Sequence, residues 1–209
     1  MWQMGFDDAT DIQLFQLASA GDEAAFLAFY RRWQGSIYRF SLRLSNSIPI
    51  AEDVTQEVFL ALMGGASGFD PSLGLFSSYM YGIARNHILR RMTRERIFER
   101  IVDDAEDERQ GRQNTRGPSS DPLGDLTRKE MIDSLHRALA TLPLRYREVV
   151  VLCELQELSY ADAARVIGCP EGTIRSRLHR ARMLLLEKLR EMTKEDARAP
   201  RIEPARCLL

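Results

Sequence analysis

The sequence predicts an all-α fold, two small helical domains at 10–100 and 128–192 joined by a flexible linker at 101–127, with a disordered polar tail at 193–209. Three observations predict it. Apolar residues recur at three- and four-residue steps in both segments, the period of an amphipathic helix. Capping residues and glycines mark where successive helices start and stop. Between Ile101 and Thr127 the composition turns acidic and polar, with Gly111, Gly117, Pro118, Ser119, Ser120, Pro122 and Gly124, which is linker chemistry. A chain of 209 residues has room for one or two such domains, each burying a modest core.

Thr10 and Gln13 form a capping-box signal for a first short helix, which Gly21 closes. Asp22 starts a longer helix in which Phe26, Phe29, Tyr30, Trp33, Ile37, Phe40 and Leu44 make a wide apolar stripe, read as domain core. Pro49 opens the next helix and Gly64 with Gly65 ends it. There Val54, Val58, Ala61 and Leu62 face inward, while Asp53, Gln56, Glu57 and Leu60 share another face. After the small-residue loop GGASGFDPSLGL, a further helix is expected to place Phe76, Tyr79, Met80, Ile83 and His87 on its apolar side, with Arg85 roughly opposite near Ser78. His87 reads as a histidine at the edge of the core, since no second ligand stands at helical spacing. In the second domain Met131, Leu135, Leu139 and Leu142 form a stripe ahead of Pro143, and Val149, Val150, Leu152 and Leu155 continue its core.

Composition narrows the function. The formal net charge of −1 hides an asymmetry, because basic residues gather at 85–100 and 175–190 while 103–108 is nearly all acid. Any nucleic-acid binding is therefore local. Cys153, Cys169 and Cys207 are too few and too far apart for a disulfide framework or a zinc site, so a reducing, cytoplasmic setting and no metal or cofactor are expected. No apolar run approaches the ~20 residues that span a bilayer, so no direct membrane insertion is expected. Asp7, Asp8 and Asp11 stand where a signal peptide would be apolar.

The most informative stretch is LSYADAARVIGCPEGTIRSRLHRAR, from Leu158 to Arg182. Ser159 with Asp162 makes a capping start for a short helix from Tyr160 to Ile167. Gly168 suits the left-handed end of that helix, and Pro170 the beginning of the next. This is the helix-turn-helix plan. In the second helix Ile174, Leu178, Ala181 and Leu185 share the core stripe. Thr173, Ser176, His179 and Arg180 lie opposite, with Arg175 and Arg182 on the shoulder and Gly172 leaving the helix start open. A basic stripe on one helix is commonly just a solvated face. Preceded by a capped helix and a tight turn, it is what a DNA major groove requires.

That stretch resembles the carboxy-terminal promoter-binding domain of bacterial sigma factors of the extracytoplasmic-function (ECF) group, in the sigma-70 family. AEDVTQEVFLAL resembles the family's polymerase-docking segment, and FDPSLGLFSSYMYGIARNHILRRMTR the segment that melts and reads the −10 element. The resemblance implies a sigma region 2 bundle followed by a region 4 helix-turn-helix. It implies that Asp53, Gln56, Glu57 and Leu60 dock on the β′ clamp helices of core RNA polymerase, with the β flap as a further contact. Phe69 and Asp70 would hold a base flipped from the −10 element, although Phe69 equally suits a plug of the domain core. Arg85 and Asn86 would meet the opened strand, and Arg90, Arg91 and Arg94 its backbone. At the −35 element the implied readers are Tyr160, Gly172, Thr173, Arg175, Ser176, Arg177, His179, Arg180 and Arg182. An anti-sigma factor is the further partner implied; no small-molecule substrate is. The linker would thread polymerase channels, or its acids would simply stay solvated.

The chain departs from the family pattern at four places. Tyr79 stands where a tryptophan is usual, Arg90 for an aspartate, Cys153 for an arginine that helps to read −35, and Ala163 for a bulkier aliphatic residue. Two other functions compete. A stand-alone helix-turn-helix regulator would need a dimer for paired half-sites and leaves the first domain unexplained. A nucleic-acid enzyme would need a two-metal carboxylate cluster, a phosphate loop with its lysine or a nucleophile–histidine pair, and the sequence offers none.

Overall fold

The computed structural model describes residues 6–64, 69–103 and 124–198. Among them every regular element is helical. Helix α1 (Asp11–Ser19) starts at Thr10, whose side chain and that of Gln13 close the expected capping box. Asp22 caps α2 (Glu23–Ser45) by accepting from the Ala25 amide at 2.9 Å. Asn46, at φ 57° and ψ 29°, ends α2 in the left-handed region that asparagine tolerates. Ser47 caps α3 (Ile48–Met63), which stops at Gly64. A short 3-10 turn, Pro71–Leu73, leads into α4 (Phe76–Asp103).

These four helices bury Leu14, Phe29, Ile37, Phe40, Leu44, Val54, Leu62, Met80 and Ile88 almost completely. An aromatic cluster seals one end, with Phe29 edge-on to Phe59 and Phe76 at 5.8 Å each. The buried stripe of α4 is Phe76, Met80, Tyr81, Ala84 and Ile88. Tyr79 and Ile83, expected on the apolar side, are only half-buried, and His87 stands half-buried at the edge of the core, as expected. The stripe is rotated by about one position because Tyr81 packs on Phe40 (5.0 Å) and Trp33 (6.1 Å).

The second helical group comprises α5 (Gly124–Thr141), α6 (Leu144–Val150), α7 (Tyr160–Ile167) and α8 (Glu171–Arg198). Helix α6 runs straight into a π-helical turn, Val151–Leu155, closed by the Gln156 amide donating to the Val151 carbonyl at 3.0 Å. This widened turn accommodates an extra residue before the chain reaches Glu157, at φ 56°. Leu139, Leu142, Val149, Val151, Leu152, Ile174, Leu178 and Ala181 form the core here.

Three expectations are corrected. Met131 and Leu135 are exposed rather than inside; between Met131 and Leu142 the buried apolar residues are Ala138, Leu139 and Leu142. The tail does not begin at 193: α8 continues to Arg198, through a segment in which Lys194, Glu195, Ala197 and Arg198 are good helix formers and Thr193 and Asp196 are not. Likewise α4 reaches Asp103 and α5 starts at Gly124, so both helices extend into the expected linker; residues 104–123 lie outside the described residues.

The two groups share one continuous core. Arg147 of α6 crosses between them, with Nη1 donating to the Leu44 carbonyl of α2 at 2.9 Å and Nη2 to Leu142 at 3.1 Å and to Ala140. Arg85 of α4 pairs with Glu148 of α6 at 3.1 Å, and the Tyr81 hydroxyl donates to Gln156 at 2.5 Å.

Candidate functional site

On α3, residues four apart share a face, and Asp53, Gln56 and Leu60 are exposed there, Leu60 at 71%. Glu57 sits among them, half-buried. A complementary pair on α4, His87 and Arg91, lies against this face. Arg91 bridges Asp53 at 2.9 Å and Glu57 at 2.5 Å, while His87 Nδ1 meets the other Glu57 oxygen at 2.7 Å. Burial alone would raise the Glu57 pKa, but the hydrogen bonds from Arg91 and His87 outweigh it and hold the carboxyl below its ordinary range. The result is a fixed anionic face with an apolar tip. Arg91, which the resemblance implies for the strand backbone, is paired within this face.

The segment expected to handle the −10 element is anchored on the same bundle. Asp70 caps the 3-10 turn, accepting from the Ser72 amide at 2.9 Å, and its carboxyl is held low by hydrogen bonds from Ser72. Phe69 stacks edge-on against Phe76 at 5.0 Å and leans on Tyr79 at 5.4 Å, so its ring seals the edge of the core. Residues 65–68 lie outside the described residues. Asn86, Arg90 and Arg94 are exposed on α4. Arg85 is not: its side chain is 15% exposed, turned into Glu148 rather than outward.

In the helix-turn-helix, the Ser159 hydroxyl accepts from the Asp162 amide at 3.1 Å and donates to the Asp162 carboxylate at 2.5 Å. Gly168, at φ 77° and ψ 43°, makes the left-handed turn. Ile174, Leu178 and Ala181 seat α8 with no more than 1% exposure. That seating leaves Gly172, Arg175, Ser176 and His179 exposed along the first turns of α8, while Tyr160, Thr173 and Arg177 are half-buried. Arg175 is lightly tied to Glu171 at 3.5 Å. The remaining two arginines are engaged. Arg180 donates to Tyr146, pulling the phenol below its usual range, and Arg145 stacks over the same ring at 4.9 Å. Arg182 is paired with Glu154 of the π turn. Cys153 in that turn is half-buried, and burial, followed by the charge of Glu154, pushes its thiol up to about 11, which leaves it unreactive at neutral pH.

A helical bundle followed by a helix-turn-helix is the arrangement that comparison with known proteins recovers. Residues 29–97 match the family described as sigma-70 region 2, and residues 132–185 match sigma-70, region 4. ECF RNA polymerase sigma factor SigC of Mycobacterium tuberculosis is 34% identical over 184 residues, covering 86% of this chain and 91% of the relative. The chain belongs to the ECF RNA polymerase sigma factors. SigE of Mycolicibacterium smegmatis, also an ECF sigma factor, is 31% identical over 206 residues, 95% of this chain and 75% of the relative. The structure of the sigma factor RpoE in complex with the anti-sigma factor NepR from Bartonella quintana superposes with a TM-score of 0.59 at 26% identity, covering 78% of this chain and 97% of that one.

For this sigma factor, sequence reasoning missed four residues that organise the site: His87 and Arg91 as braces of the anionic face, and Arg147 and Glu148 as bridges between the helical groups. The first two left a trace. The spacing Asp53–Glu57 on α3 and His87–Arg91 on α4, four residues in each case, is a complementary charge ladder for neighbouring helices. The other two left none, because charged residues are read as surface by default.

Proposed function

We propose that this sigma factor directs core RNA polymerase to promoters, docking through the α3 face and reading the −35 element with the first turns of α8. One observation carries the docking assignment: Asp53, Gln56 and Leu60 stay exposed while Arg91 and His87 lock Glu57 into the same face. An exposed leucine ringed by ordered acids suits a basic coiled-coil partner such as the clamp helices, with the acids steering encounter and the apolar tip completing contact.

Region 2, taken as 10–100, would handle the −10 element, with Asn86, Arg90 and Arg94 toward the strand backbone. Region 4, taken as 128–192, would enter the −35 major groove, where Arg175, Ser176 and Gly172 approach base edges and His179 nears phosphate. Arg180 and Arg182 would reach phosphate after leaving Tyr146 and Glu154. The protein's role is regulatory, with RNA synthesis left to the polymerase, and it works in the cytoplasm where polymerase is. Among the described residues, no helix is long and apolar enough to cross a membrane.

The test is reconstitution with core polymerase. Asp53→Lys with Gln56→Lys reverses the exposed part of the face and leaves Glu57 between His87 and Arg91, and is expected to abolish co-elution with core polymerase and promoter-specific transcripts while helix content is unchanged. Undiminished co-elution would remove the α3 assignment.

A further inference from the structure

Helix α8 is flanked on two sides, and the two flanks differ in charge. Arg180 and Arg182 stand two positions apart, about 200° around the helix, so they lean to opposite shoulders. On one shoulder Arg182 meets Glu154 of the π turn, whose neighbour Cys153 keeps its proton at neutral pH. That side is neutralised. On the other, Arg180 donates to the Tyr146 hydroxyl of α6, and the Arg145 guanidinium lies 4.9 Å from the centre of the same ring. Arg145 and Arg180 are both exposed, and among the described residues neither stands in an ion pair. Glu148, the one acid on α6, is turned into Arg85.

Two cations on one phenol with no carboxylate set this shoulder apart, since Arg32, Arg85, Arg91, Arg165, Arg175 and Arg182 all have acids. Like charges drawn to one point repel, and an anion entering between them relieves the repulsion. The ring also prepares the place. Tyr146 is only 9% exposed, so it is a fixed platform. A guanidinium stacked on such a platform keeps the N–H edges of its fork free, with much of its rotamer freedom already surrendered. A planar fork with open edges fits two oxygens of a phosphate. Position selects the source of that phosphate. Arg175, Ser176 and His179 are exposed within about a turn and a half of Arg180, so a duplex lying against them brings its backbone to the α6 shoulder.

We propose that Arg145, seated on Tyr146, and Arg180 together clamp a phosphate of the duplex backbone on the α6 shoulder of α8. The proposal deepens the reading of α8 as the major-groove helix and rests on it. The phosphate takes the place of the phenol oxygen as the acceptor of Arg180, while Arg145 stays stacked and donates from its free edge. Arg182 has a carboxylate to give up first, so the backbone is held mainly from the α6 side.

The test uses the full chain and a random-sequence DNA duplex, with binding read by fluorescence anisotropy from about 50 to about 200 mM salt. Arg145→Ala is expected to weaken binding on the order of tenfold at the lower salt, the scale of one lost hydrogen bond to a charged group. The double-logarithmic salt slope should become shallower by about 0.9, the signature of one phosphate contact, which loss of a purely structural residue would not give. Arg145→Lys should recover part of the affinity, because it keeps the charge without the stacked plane. Arg182→Ala should change the slope less than Arg145→Ala does. An arginine-directed dicarbonyl reagent followed by peptide mass spectrometry reports contact directly. The duplex should slow modification of Arg145, Arg175 and Arg180 and leave exposed Arg31 on α2 unaffected.

An unchanged affinity and slope for Arg145→Ala, with Arg175 still protected by the duplex, would overturn the clamp and leave the reading of α8 intact. Absence of protection at Arg175 as well would remove both. A larger loss from Arg182→Ala than from Arg145→Ala would overturn the assignment to the α6 shoulder.

Discussion

Replacing Arg147 with alanine tests how the two helical groups are joined. Its side chain is 9% exposed and donates to three backbone carbonyls: Leu44 on α2, and Ala140 and Leu142 around the end of α5. A hydrogen bond to a charged group contributes about 1.5–3 kcal/mol net, and removing a buried donor also strands its acceptors. Two of the three bonds complete the carboxyl end of α5, where unpaired carbonyls and the helix dipole favour a cation. Taken together, loss of the guanidinium should cost about 3–5 kcal/mol, a large part of the about 5–15 kcal/mol that holds a domain folded. The assay is urea unfolding followed both by far-ultraviolet circular dichroism and, in a Trp2→Phe background, by the emission of Trp33, which is buried in the first group. The unaltered protein should give coincident transitions. Arg147→Ala should lower the midpoint and separate the two signals, because it removes the Leu44 bond, a polar contact that adds to the packing of α6 on α2. Arg147→Lys, which keeps the charge but not the planar fork, should recover only part of the loss. A cost under about 1 kcal/mol with coincident signals would show that the crossing contact carries no energy.

Two other outcomes follow from the geometry. Gly168→Ala forces a Cβ into the left-handed region, but nothing lies within 4 Å of that Cβ, so the cost should be the conformational one of about 1–2 kcal/mol, read as a shift in urea midpoint; no shift would mean that the turn relaxes. Acidification should weaken the α3–α4 pairing through Glu57. Its folded pKa lies below the ordinary value of 4.5, so its contribution is complete above that value and is lost as pH falls through the lowered one. Glu57→Gln should flatten the acid limb of stability below about pH 5, and an unchanged limb would mean that the carboxyl is not held by His87 and Arg91.

What the sequence made legible was local. Ser159, Asp162 and Gly168 fix α7 through bonds spanning a few residues, and the chain fragment alone specifies them. The stripe of Ile174, Leu178 and Ala181 follows from helical period, and so does the exposure of Asp53, Gln56 and Leu60. The failures share one cause: they depend on which helix lies next to which. Arg85 was placed outward because its own helix puts it opposite the apolar residues, yet α6, 63 positions away, supplies Glu148 to cover it. The resemblance places Arg91 on the strand backbone, and only the packing of α4 on α3 shows that it also has carboxylate partners. Met131 and Leu135 have the right period but stay exposed, and period alone does not say which turns of a helix meet a neighbour.

The π turn at Val151–Leu155 has a consequence for how chain length is tolerated here. Deleting one residue, Cys153 for example, would let α6 continue as ordinary helix, since the widened turn is what absorbs the extra residue. The loss would fall on the turn's own polar contacts, Gln156 with Tyr81 and Glu154 with Arg182, while Arg147 and Glu148, which lie ahead of it, would keep the two helical groups joined.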